Sequence, residues 1–464
     1  MALLLLSACR SDRINSDPAC LLRFSADTLR FDTLFAERGS VTRLLKVYND
    51  YSNRLEISSV VLHGKSFRVN IDGVSADSCG PVFLNARDSL LVYVQSLVED
   101  ASSPTPYRVT GDLSFSLNCT RQPVLLEAWG QSARRVGREV IDADTTWGGA
   151  LPYLVFDTVT VLAGATLTIE AGTTVYFTNR GGLNVYGSLR CEGTLQQPVV
   201  LRGDRSDYMN TEPPLSYDLS SGQWRGIRLH ALSDHLMQWT EMRNASYGLV
   251  VEGASTGQTL LLDHCKLCNT TENVLWQQGG EVTLRNCLLY NAGENVLNLE
   301  GGSCRLTHCT LANYYGFSWS SRSGSALRIA NYQLSDGQDI LPSEVTLLAE
   351  NSIVCGSWIN ELAVDDLPQG GTLDYQLQSC LLNKRLTVVP PNYSNCIFNG
   401  TPDFLFQTWE EGSHPFQYDF HLTAGSSAIG VALKPVALSC PIDLDGMDRT
   451  EGASYYDIGC YAYR

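Results

Sequence analysis

The residues best suited to bind a ligand form an aromatic cluster in the second half of the chain. Aromatic faces beside a guanidinium are groups that stack on sugar rings and hydrogen-bond to their hydroxyls. So many rings on a projecting loop would need a partner. The alternative is that they pack back onto the body of the protein. The candidate ligand-binding residues are Tyr314, Tyr315, Phe317, Trp319, Arg322 and Tyr332.

A second cluster, near the end of the chain, carries carboxylates in the manner of a calcium loop. Asp443, Asp445 and Asp448 lie in the sequence DLDGMD, and hard cations prefer clustered carboxylate oxygens. The segment lacks the twelve-residue spacing and the final Glu of an EF-hand. We therefore expect no metal or other cofactor, with calcium at these three aspartates as the alternative.

Asp263-His264 superficially resembles the Asp-His pair of pectate lyase sequences. Chemistry on acidic polysaccharides needs a basic residue or several carboxylates that converge on one groove. The equivalent positions of the next two repeats hold Arg285-Asn286 and Thr307-His308, which are ordinary polar occupants of a strand. The sequence therefore predicts no catalytic residue, and Asp263-His264 is interpreted as structural.

The element that positions these groups is a repeat of 22 residues. Three successive units share the pattern L-x-x-C-x-L-x-N, which is strand alternation followed by a turn residue. A fixed period of this length without helical spacing indicates a right-handed parallel β-helix, in which each coil buries its apolar side against the next. The cysteines and asparagines of the pattern are predicted to stack as structural ladders. They are Cys265, Cys287, Cys309, Asn269, Asn291 and Asn313.

Disulfides are expected only outside that ladder. Neighbouring coils lie about 4.8 Å apart, slightly beyond the ~3.8 Å that separates Cβ atoms in a disulfide. The candidate bridges are Cys79 with Cys119 and Cys440 with Cys460, and the sequence leaves Cys20 unassigned.

The composition and the first residues indicate an exported protein. Of 464 residues, 33 are Lys or Arg and 49 are Asp or Glu, which gives a net charge of −16. Such acidity argues against nucleic acid or anionic lipid as the main partner. The sequence Leu6-Ser-Ala-Cys9 looks like a bacterial lipobox, although no Lys or Arg precedes the apolar run. We expect Cys9 to be lipidated, with an ordinary secretion signal as the alternative.

The rest of the chain is predicted to be all-β. About seven short strands with turn residues between them indicate an immunoglobulin-like β-sandwich. Long interruptions of the repeat, from Tyr314 to Glu344 and from Glu361 to Leu373, are predicted to be projecting loops. The predicted organisation is a signal and tether over 1–20, the sandwich over 21–133, a charged linker over 134–146, the β-helix over 147–430 and a C-terminal capping segment over 431–464.

Taken together, these features resemble a family of exported bacterial lipoproteins. The resemblance rests on the lipobox, the sandwich, the coils LTIEAGTTVYF and GSLRCEGT, the turn Gln223-Trp-Arg-Gly226 and a final D-I-G-x-Y-x-Y pattern. This chain departs from that pattern with Cys460 where the family usually has Ala and Ala462 where it usually has Glu. The resemblance implies the architecture, but it implies no activity, because the family has no agreed function.

We therefore expect a non-catalytic lipoprotein of the bacterial cell envelope, at the outer membrane or cell surface. Its rigid β-helix would bind a glycan or another surface partner through the Tyr314–Tyr332 loop. One alternative is a polysaccharide lyase or glycoside hydrolase that acts in a groove of the β-helix. Another is a purely structural or adhesive protein with no ligand.

Overall fold

The computed structural model describes residues 13–205, 207–208, 216–230, 233–253, 257, 259–316, 322–335, 337–405, 418–452 and 455–464. Helical structure in these ranges is confined to Lys434–Ser439 and the 3-10 turn Tyr217–Leu219. No helix of the described ranges is long and apolar enough to cross a membrane. The chain divides into two compact units, residues 1–133 and 134–464.

The first unit is a β-sandwich, as the fold-class prediction of an immunoglobulin-like domain requires. In one central strand Leu90, Val92 and Val94 point into the core, and the residues between them face outward. One sheet contains, in spatial order, Arg23–Phe24, Arg43–Tyr48, Ser89–Ser96, Phe67–Ile71 and Val74–Ser75. The other contains Thr28–Phe35, Thr120–Gln131, Tyr107–Leu117, Leu55–His63 and Ser78–Cys79, with Val82–Leu84 also paired to Leu55–His63.

The second unit confirms the predicted right-handed parallel β-helix, and its coils stack three parallel sheets. Sheet 1 contains Arg134–Val136, Tyr153–Val155, Thr174–Phe177, Val199–Gly203, Thr240–Arg243, Lys266–Thr270, Leu288–Ala292, Thr310–Asn313, Ile353–Gly356, Leu381–Leu382 and Ile397–Phe398. Sheet 2 contains Val140–Ile141, Thr158–Val161, Gly182–Val185, Ile227–Leu229, Leu249–Val251, Leu275–Gln277, Leu297–Leu299, Leu327–Ala330 and Leu362–Asp365. Sheet 3 contains Thr145–Trp147, Thr166–Glu170, Ser188–Glu192, Asp234–Gln238, Thr259–Asp263, Glu281–Arg285, Gly302–Thr307, Val345–Glu350, Leu373–Gln378 and Tyr393–Ser394.

The 22-residue repeat sets the register of this stack. Leu262 pairs with Leu284, and Leu284 pairs with Leu306 on the next coil. All three leucines are fully buried in a continuous apolar core. Because side chains alternate between the two faces of a strand, the constant period keeps every leucine turned inward.

The cysteines of the repeat line the inside of one corner as free thiols. The Cys287 thiol donates to the Leu262 carbonyl one coil earlier, with 3.4 Å between sulfur and oxygen. Every cysteine in the described part of the chain is free. The two predicted disulfides are therefore wrong, because Cys79, Cys119, Cys440 and Cys460 remain thiols.

The asparagines of the repeat line the corner between sheets 1 and 2. Asn291 Nδ2 donates to Asn269 Oδ1 over 3.4 Å. Asn313 Oδ1 instead accepts from the backbone N–H of Ala292 over 3.2 Å. All three asparagines are buried, so their amides hold the turn and face no solvent.

The predicted linker 134–146 is corrected to the first coil of the β-helix. Arg134–Val136 pairs with Tyr153–Val155, and Val140–Ile141 pairs with strand residues Thr160 and Val161. The charged side chains of this coil face outward, whereas Val136 and Ile141 are buried. Two inward residues in such short strands are too few to produce a visible period.

The two predicted projecting loops are also corrected, because each contains a strand of sheet 2. Leu327–Ala330 lies inside the first interruption, and Leu362–Asp365 lies inside the second. These two strands pair with each other in parallel. Between them the chain adds a hairpin of Tyr332–Leu334 and Ile340–Pro342.

Residues 418–464, which we call the C-terminal segment, cover the outer face of the later strands of sheet 1. An apolar cluster joins the segment to outward side chains of that sheet, and its buried members are Leu288, Ala312, Ile353, Cys355, Leu381, Phe420, Leu422, Ala428, Leu444, Ile458, Cys460 and Tyr461. The part predicted as a C-terminal capping segment, 431–464, therefore packs against sheet 1. The segment lies along the side of the coils because sheet 1 presents apolar residues outward as well as inward.

A stack of left-handed residues forms the polar edge of this contact. Trp239, His264, Asn286, His308 and Asn351 occupy the same corner of successive coils, with φ between 41° and 55°. Asn tolerates this backbone region because its short side chain can hydrogen-bond locally. We call these five residues the corner ladder. Their side chains reach the C-terminal segment through Asn351 to Leu433, Asn286 to Arg449 and His264 to Ile442.

Candidate functional site

The structure removes the two tyrosines at the start of the predicted binding loop from the candidate site. Phe317 and Trp319 lie outside the described residues. Tyr315 is 8% exposed, and its hydroxyl lies 2.9 Å from Ser221 Oγ. Tyr314 packs against the apolar cluster under the C-terminal segment. Tyr314 and Tyr315 are therefore corrected from ligand-binding to structural, because neither ring presents an open face.

Arg322 is corrected in the same way, because it forms an ion pair inside the protein. Its guanidinium donates to both carboxylate oxygens of Glu361 at 2.7 Å, and the side chains are 3% and 0% exposed. The guanidinium also lies 4.0 Å from the ring centre of Trp358. Burial raises the pKa of Glu361, while Arg322 opposes that rise.

Tyr332 belongs to a different site, which lies on the outer face of sheet 2. Arg328 Nη2 donates to the Tyr332 hydroxyl over 3.1 Å. The same guanidinium pairs with Glu300 at 2.6 Å and with Asp365 at 2.8 Å. A half-buried cation is thus held between two carboxylates beside an aromatic ring.

Glu300 is fixed by one donor from its own coil and by two donors from the neighbouring coils. Trp276 Nε1 donates to Glu300 Oε2 over 2.7 Å, and Asn298 Nδ2 donates to Glu300 Oε1 over 3.2 Å. Arg328 is the third donor. Since Trp276, Asn298 and Arg328 face outward from three paired strands, they form a row on one face. We call these residues, with Glu300, Asp365 and Tyr332, the sheet 2 site.

Further aromatic and charged groups continue the row toward the first coils. Arg228 pairs with Val250 on the next strand of sheet 2, and Val250 pairs with Trp276 on the strand after that. Arg228 pairs with Glu252, and its guanidinium lies 4.5 Å from the ring centre of Tyr247. From Arg228 to Arg328 the row crosses four strand spacings, or about 19 Å at ~4.8 Å each. This length suits an extended ligand.

Glu294 supplies an acid beside the sheet 2 site. Burial, and then the charge of Glu272, raises the pKa of the Glu294 carboxyl. Asn273 Nδ2 donates to Glu294 Oε2 over 2.8 Å, and this contact opposes the rise. A carboxylic acid with a raised pKa can hold a proton nearer neutral pH, as a general acid must.

Sequence reasoning missed most of this site. The constant period does place Trp276 over Asn298 and Glu272 over Glu294, each 22 residues apart. It could not place Arg328, because 30 residues separate Arg328 from its partner Asn298. The insertion before Leu327–Ala330 breaks the period at the coil that supplies the cation.

The three candidate calcium ligands have separate partners. Asp443 is buried, and its carboxylate accepts from the backbone N–H groups of Asp445, Met447 and Ala462. Asp448 accepts from Thr450. No group of three or more His, Cys, Asp or Glu suited to a metal ion occurs in the described part of the chain. The geometry thus gives Asp443 the role of a turn-forming acceptor.

Asp445 belongs instead to a histidine clamp within the C-terminal segment. His421 Nδ1 lies 2.5 Å from Asp419 Oδ1, and His421 Nε2 lies 2.8 Å from Asp445 Oδ2. The imidazole stacks on Tyr461, and Arg464 also contacts Asp445. Burial lowers the pKa of His421, but the two carboxylates raise it more, so the net direction is upward.

This clamp predicts a pH dependence of stability. A raised histidine pKa gives stabilisation that is fully present below the unfolded-state pKa of about 6.5 and is lost as pH rises through the folded-state pKa. The His421→Gln variant should therefore unfold at a lower denaturant concentration than the wild type at pH 5.5. The difference should shrink by pH 8.5. A difference that grew with pH would contradict this prediction.

Asp263 and His264 are engaged in structural contacts. His264 Nδ1 lies 3.0 Å from Asp263 Oδ1, and His264 Nε2 lies 3.1 Å from the Ile442 carbonyl oxygen. The imidazole also stacks on Trp239 at 4.2 Å between ring centres. With both nitrogens engaged under the C-terminal segment, the pair has no open position for a substrate.

The fold and the site define this chain as a right-handed parallel β-helix protein with an immunoglobulin-like sandwich. No family model matches it. A stretch of 78 residues, 17% of the chain, is 40% identical to Protein bark beetle of Drosophila melanogaster. That match covers 2% of the Drosophila protein.

Among solved structures, pectate lyase Pel9A matches 72% of this chain and 88% of its own, with 11% identity and a TM-score of 0.31. A family 123 glycoside hydrolase from Clostridium perfringens matches 26% of this chain and 30% of its own, with 4% identity and a TM-score of 0.19. A protein of unknown function from Porphyromonas gingivalis W83 matches 26% of this chain and 60% of its own, with 13% identity and a TM-score of 0.16. These similarities carry no argument about activity.

Proposed function

We propose that this protein binds an extended glycan of the cell envelope along the outer face of sheet 2. The observation that carries the proposal is the sheet 2 site, in which Trp276, Arg328 and Tyr332 lie beside fixed carboxylates. On the later strands of sheet 1, from Leu288 to Leu381, the C-terminal segment covers the outer face.

The chemistry of the site suits sugar hydroxyls. Aromatic rings stack on the apolar faces of pyranose rings, while guanidinium and carboxylate groups donate to and accept from hydroxyls. Glu300 and Arg328 hold each other in place, so ligand binding does not have to order them. The mixed charges and the net charge of −16 disfavour a polyanionic glycan.

Replacement of Trp276 tests this proposal directly. The Trp276→Ala variant should bind an oligosaccharide ligand roughly 30-fold more weakly, since removing a central tryptophan costs about 2 kcal/mol of binding free energy. Trp276→Phe keeps a ring and should lose less. Calorimetric titration against an array-selected oligosaccharide measures both effects.

The matched control for Trp276 is Tyr455→Ala. Tyr455 is 74% exposed and lies in the C-terminal segment, away from sheet 2. Its removal should leave the affinity unchanged. Equal affinity of Trp276→Ala and wild type, with both folded by circular dichroism, would exclude the sheet 2 site.

A second candidate function, glycan cleavage, is favoured by Glu294. Its raised pKa is a property of a general acid, and Glu272 is a second carboxylate close enough to contribute to that rise. Chromatography of the same oligosaccharides after long incubation separates the two functions. Shortened products would favour a hydrolase or lyase, and intact ligand would favour binding alone.

The proposal also places the protein at the envelope through a lipid on Cys9, which lies outside the described residues. Its support is the sequence Leu6-Ser-Ala-Cys9. The wild type should partition into the detergent phase when expressed in a bacterium, and Cys9→Ala should move to the aqueous phase. Unchanged partitioning would remove the anchor from the proposal.

A further inference from the structure

The sandwich carries a concave site of its own, which the proposed function does not use. It is a cavity of about 740 Å³ on the outer face of the five-stranded sheet. The lining groups that could contact a ligand are an aromatic ring, two side-chain amides, a hydroxyl, a guanidinium and a carboxylate. In that order they belong to Tyr93, Asn70 and Gln95, Thr42, Arg68 and Asp77.

Strand alternation explains why an aromatic ring is at the centre of this face. Val92 and Val94 point into the core, so Tyr93 between them must point outward. Tyr93 is 40% exposed and lies between Leu44 and Asn70 on the two adjacent strands. A tyrosine between an aliphatic and an amide side chain offers a flat apolar face with polar groups at its edge.

The amides around this ring are held in place by hydrogen bonds. Asn70 Nδ2 donates to Ser75 Oγ, and Asn70 Oδ1 accepts from the Gly73 backbone N–H, both over 2.9 Å. Gln95 Nε2 donates to Thr42 Oγ1 over 2.8 Å. The Gln95 amide nitrogen is engaged by Thr42, and Gln95 lines the cavity, so its carbonyl oxygen can serve as an acceptor for a ligand.

The cavity lining carries one positive and one negative side chain, Arg68 and Asp77. Arg68 pairs with Gln95 on the adjacent strand. Asp77 lines the cavity from the segment that follows Ser75. Neither side chain forms an ion pair within residues 13–133 as described. One unpaired donor group and one unpaired acceptor group suit neutral hydroxyls better than an anionic ligand, which Asp77 would repel.

We propose that this cavity is a second glycan-binding site, in which a neutral pyranose ring stacks on Tyr93. Its hydroxyls accept from Arg68 and donate to Asp77 and to the Gln95 carbonyl. The site stands on the sandwich alone and does not depend on the sheet 2 site.

The test uses the full chain and photoreactive probes. Neutral hexasaccharides of glucose, mannose, galactose and N-acetylglucosamine, and a galacturonate hexasaccharide, each carry a diazirine. Crosslinked peptides are then identified by mass spectrometry. Crosslinks from a neutral probe to peptides that contain Arg68 or Tyr93 are expected, and Tyr93→Ala should reduce them at least tenfold.

The matched control is Trp129→Ala. Trp129 is 41% exposed on the other sheet of the same sandwich, so its removal should leave the crosslinks unchanged. The inference is overturned if no neutral probe labels the sandwich, if Tyr93→Ala labels like the wild type, or if galacturonate labels best. Labelling of the Tyr93 site without labelling near Trp276 would overturn the sheet 2 proposal instead, so the two failures are distinguishable.

Discussion

Replacing Glu361 with alanine should lower the free energy of unfolding of the β-helix by about 3–5 kcal/mol, the usual cost of leaving one partner of a buried ion pair alone. Glu361 is fully buried, and its partner Arg322 is 3% exposed. Glu361 also accepts from the backbone N–H groups of Ala326 and Trp358, at 3.0 and 2.7 Å. The alanine variant therefore leaves the Arg322 guanidinium and the two backbone N–H groups without their buried acceptor. Denaturant unfolding followed by circular dichroism measures the loss.

Two further variants separate the causes of this loss. Glu361→Gln keeps an acceptor for the backbone groups and should lose less than the alanine variant. Arg322→Met leaves the Glu361 carboxylate without its cation, and because burial raises the pKa of that carboxyl, the loss should shrink as pH falls toward 4. A loss that stayed constant with pH would mean that Arg322 contributes by packing alone.

An exposed pair of the same unit is the control for Glu361. Arg190 and Glu192 lie 2.8 Å apart with side chains 44% and 42% exposed. Glu192→Ala should change the free energy of unfolding by less than about 1 kcal/mol, because water screens exposed pairs. Similar losses for Glu192→Ala and Glu361→Ala would contradict the assignment of a buried pair.

The Arg322–Glu361 pair shows why the binding residues could not be predicted from the sequence alone. An arginine among aromatics has the chemistry of a sugar site, and Arg322 fits that description in the sequence. Its partner Glu361 lies 39 residues further on, at no multiple of the 22-residue period. Only the folded coil shows that the guanidinium faces inward, so composition and local spacing could not distinguish a binding arginine from a structural one.

Within the β-helix, prediction succeeded where the sequence repeats and failed where the period is absent or broken. Leu262, Leu284 and Leu306 pair as the period requires, because identical coils bury identical positions. The first coil, with strands as short as Val140–Ile141, has too few inward residues to show a period. The C-terminal segment covers the side of the coils because sheet 1 is apolar on its outer face, and alternation along a strand cannot reveal what later covers that face.

The second large effect is expected at Asn351, where the corner ladder holds the C-terminal segment. Asn351 is fully buried with φ at 50°. Its Nδ2 donates to the Leu433 carbonyl over 3.1 Å, and its Oδ1 accepts from the Leu433 N–H over 2.7 Å. Nδ2 also lies 3.0 Å from His308 Nε2. Asn351→Ala leaves these groups unpaired and puts alanine in a left-handed backbone, which together should cost about 2–4 kcal/mol.

Asn395→Ala isolates the backbone part of that cost. Asn395 occupies a later position of the same corner with φ at 53°, and the described structure gives its side chain no hydrogen bond to the C-terminal segment. It should therefore lose only the cost of the left-handed backbone, about 1–2 kcal/mol. Equal losses for the two variants would mean that the contacts to Leu433 contribute nothing.

Amide hydrogen exchange shows which part of the chain the Asn351 side-chain contacts stabilise. In Asn351→Ala, amide exchange should accelerate around Leu433, whose N–H and carbonyl both bond to the Asn351 side chain. The strands of sheet 2 should keep their protection, because their hydrogen bonds run between coils and involve no residue of the C-terminal segment among the described pairings. Glycan affinity at Trp276 should therefore survive the substitution. Loss of protection in both places at once would mean that the C-terminal segment and the coils unfold as one cooperative unit.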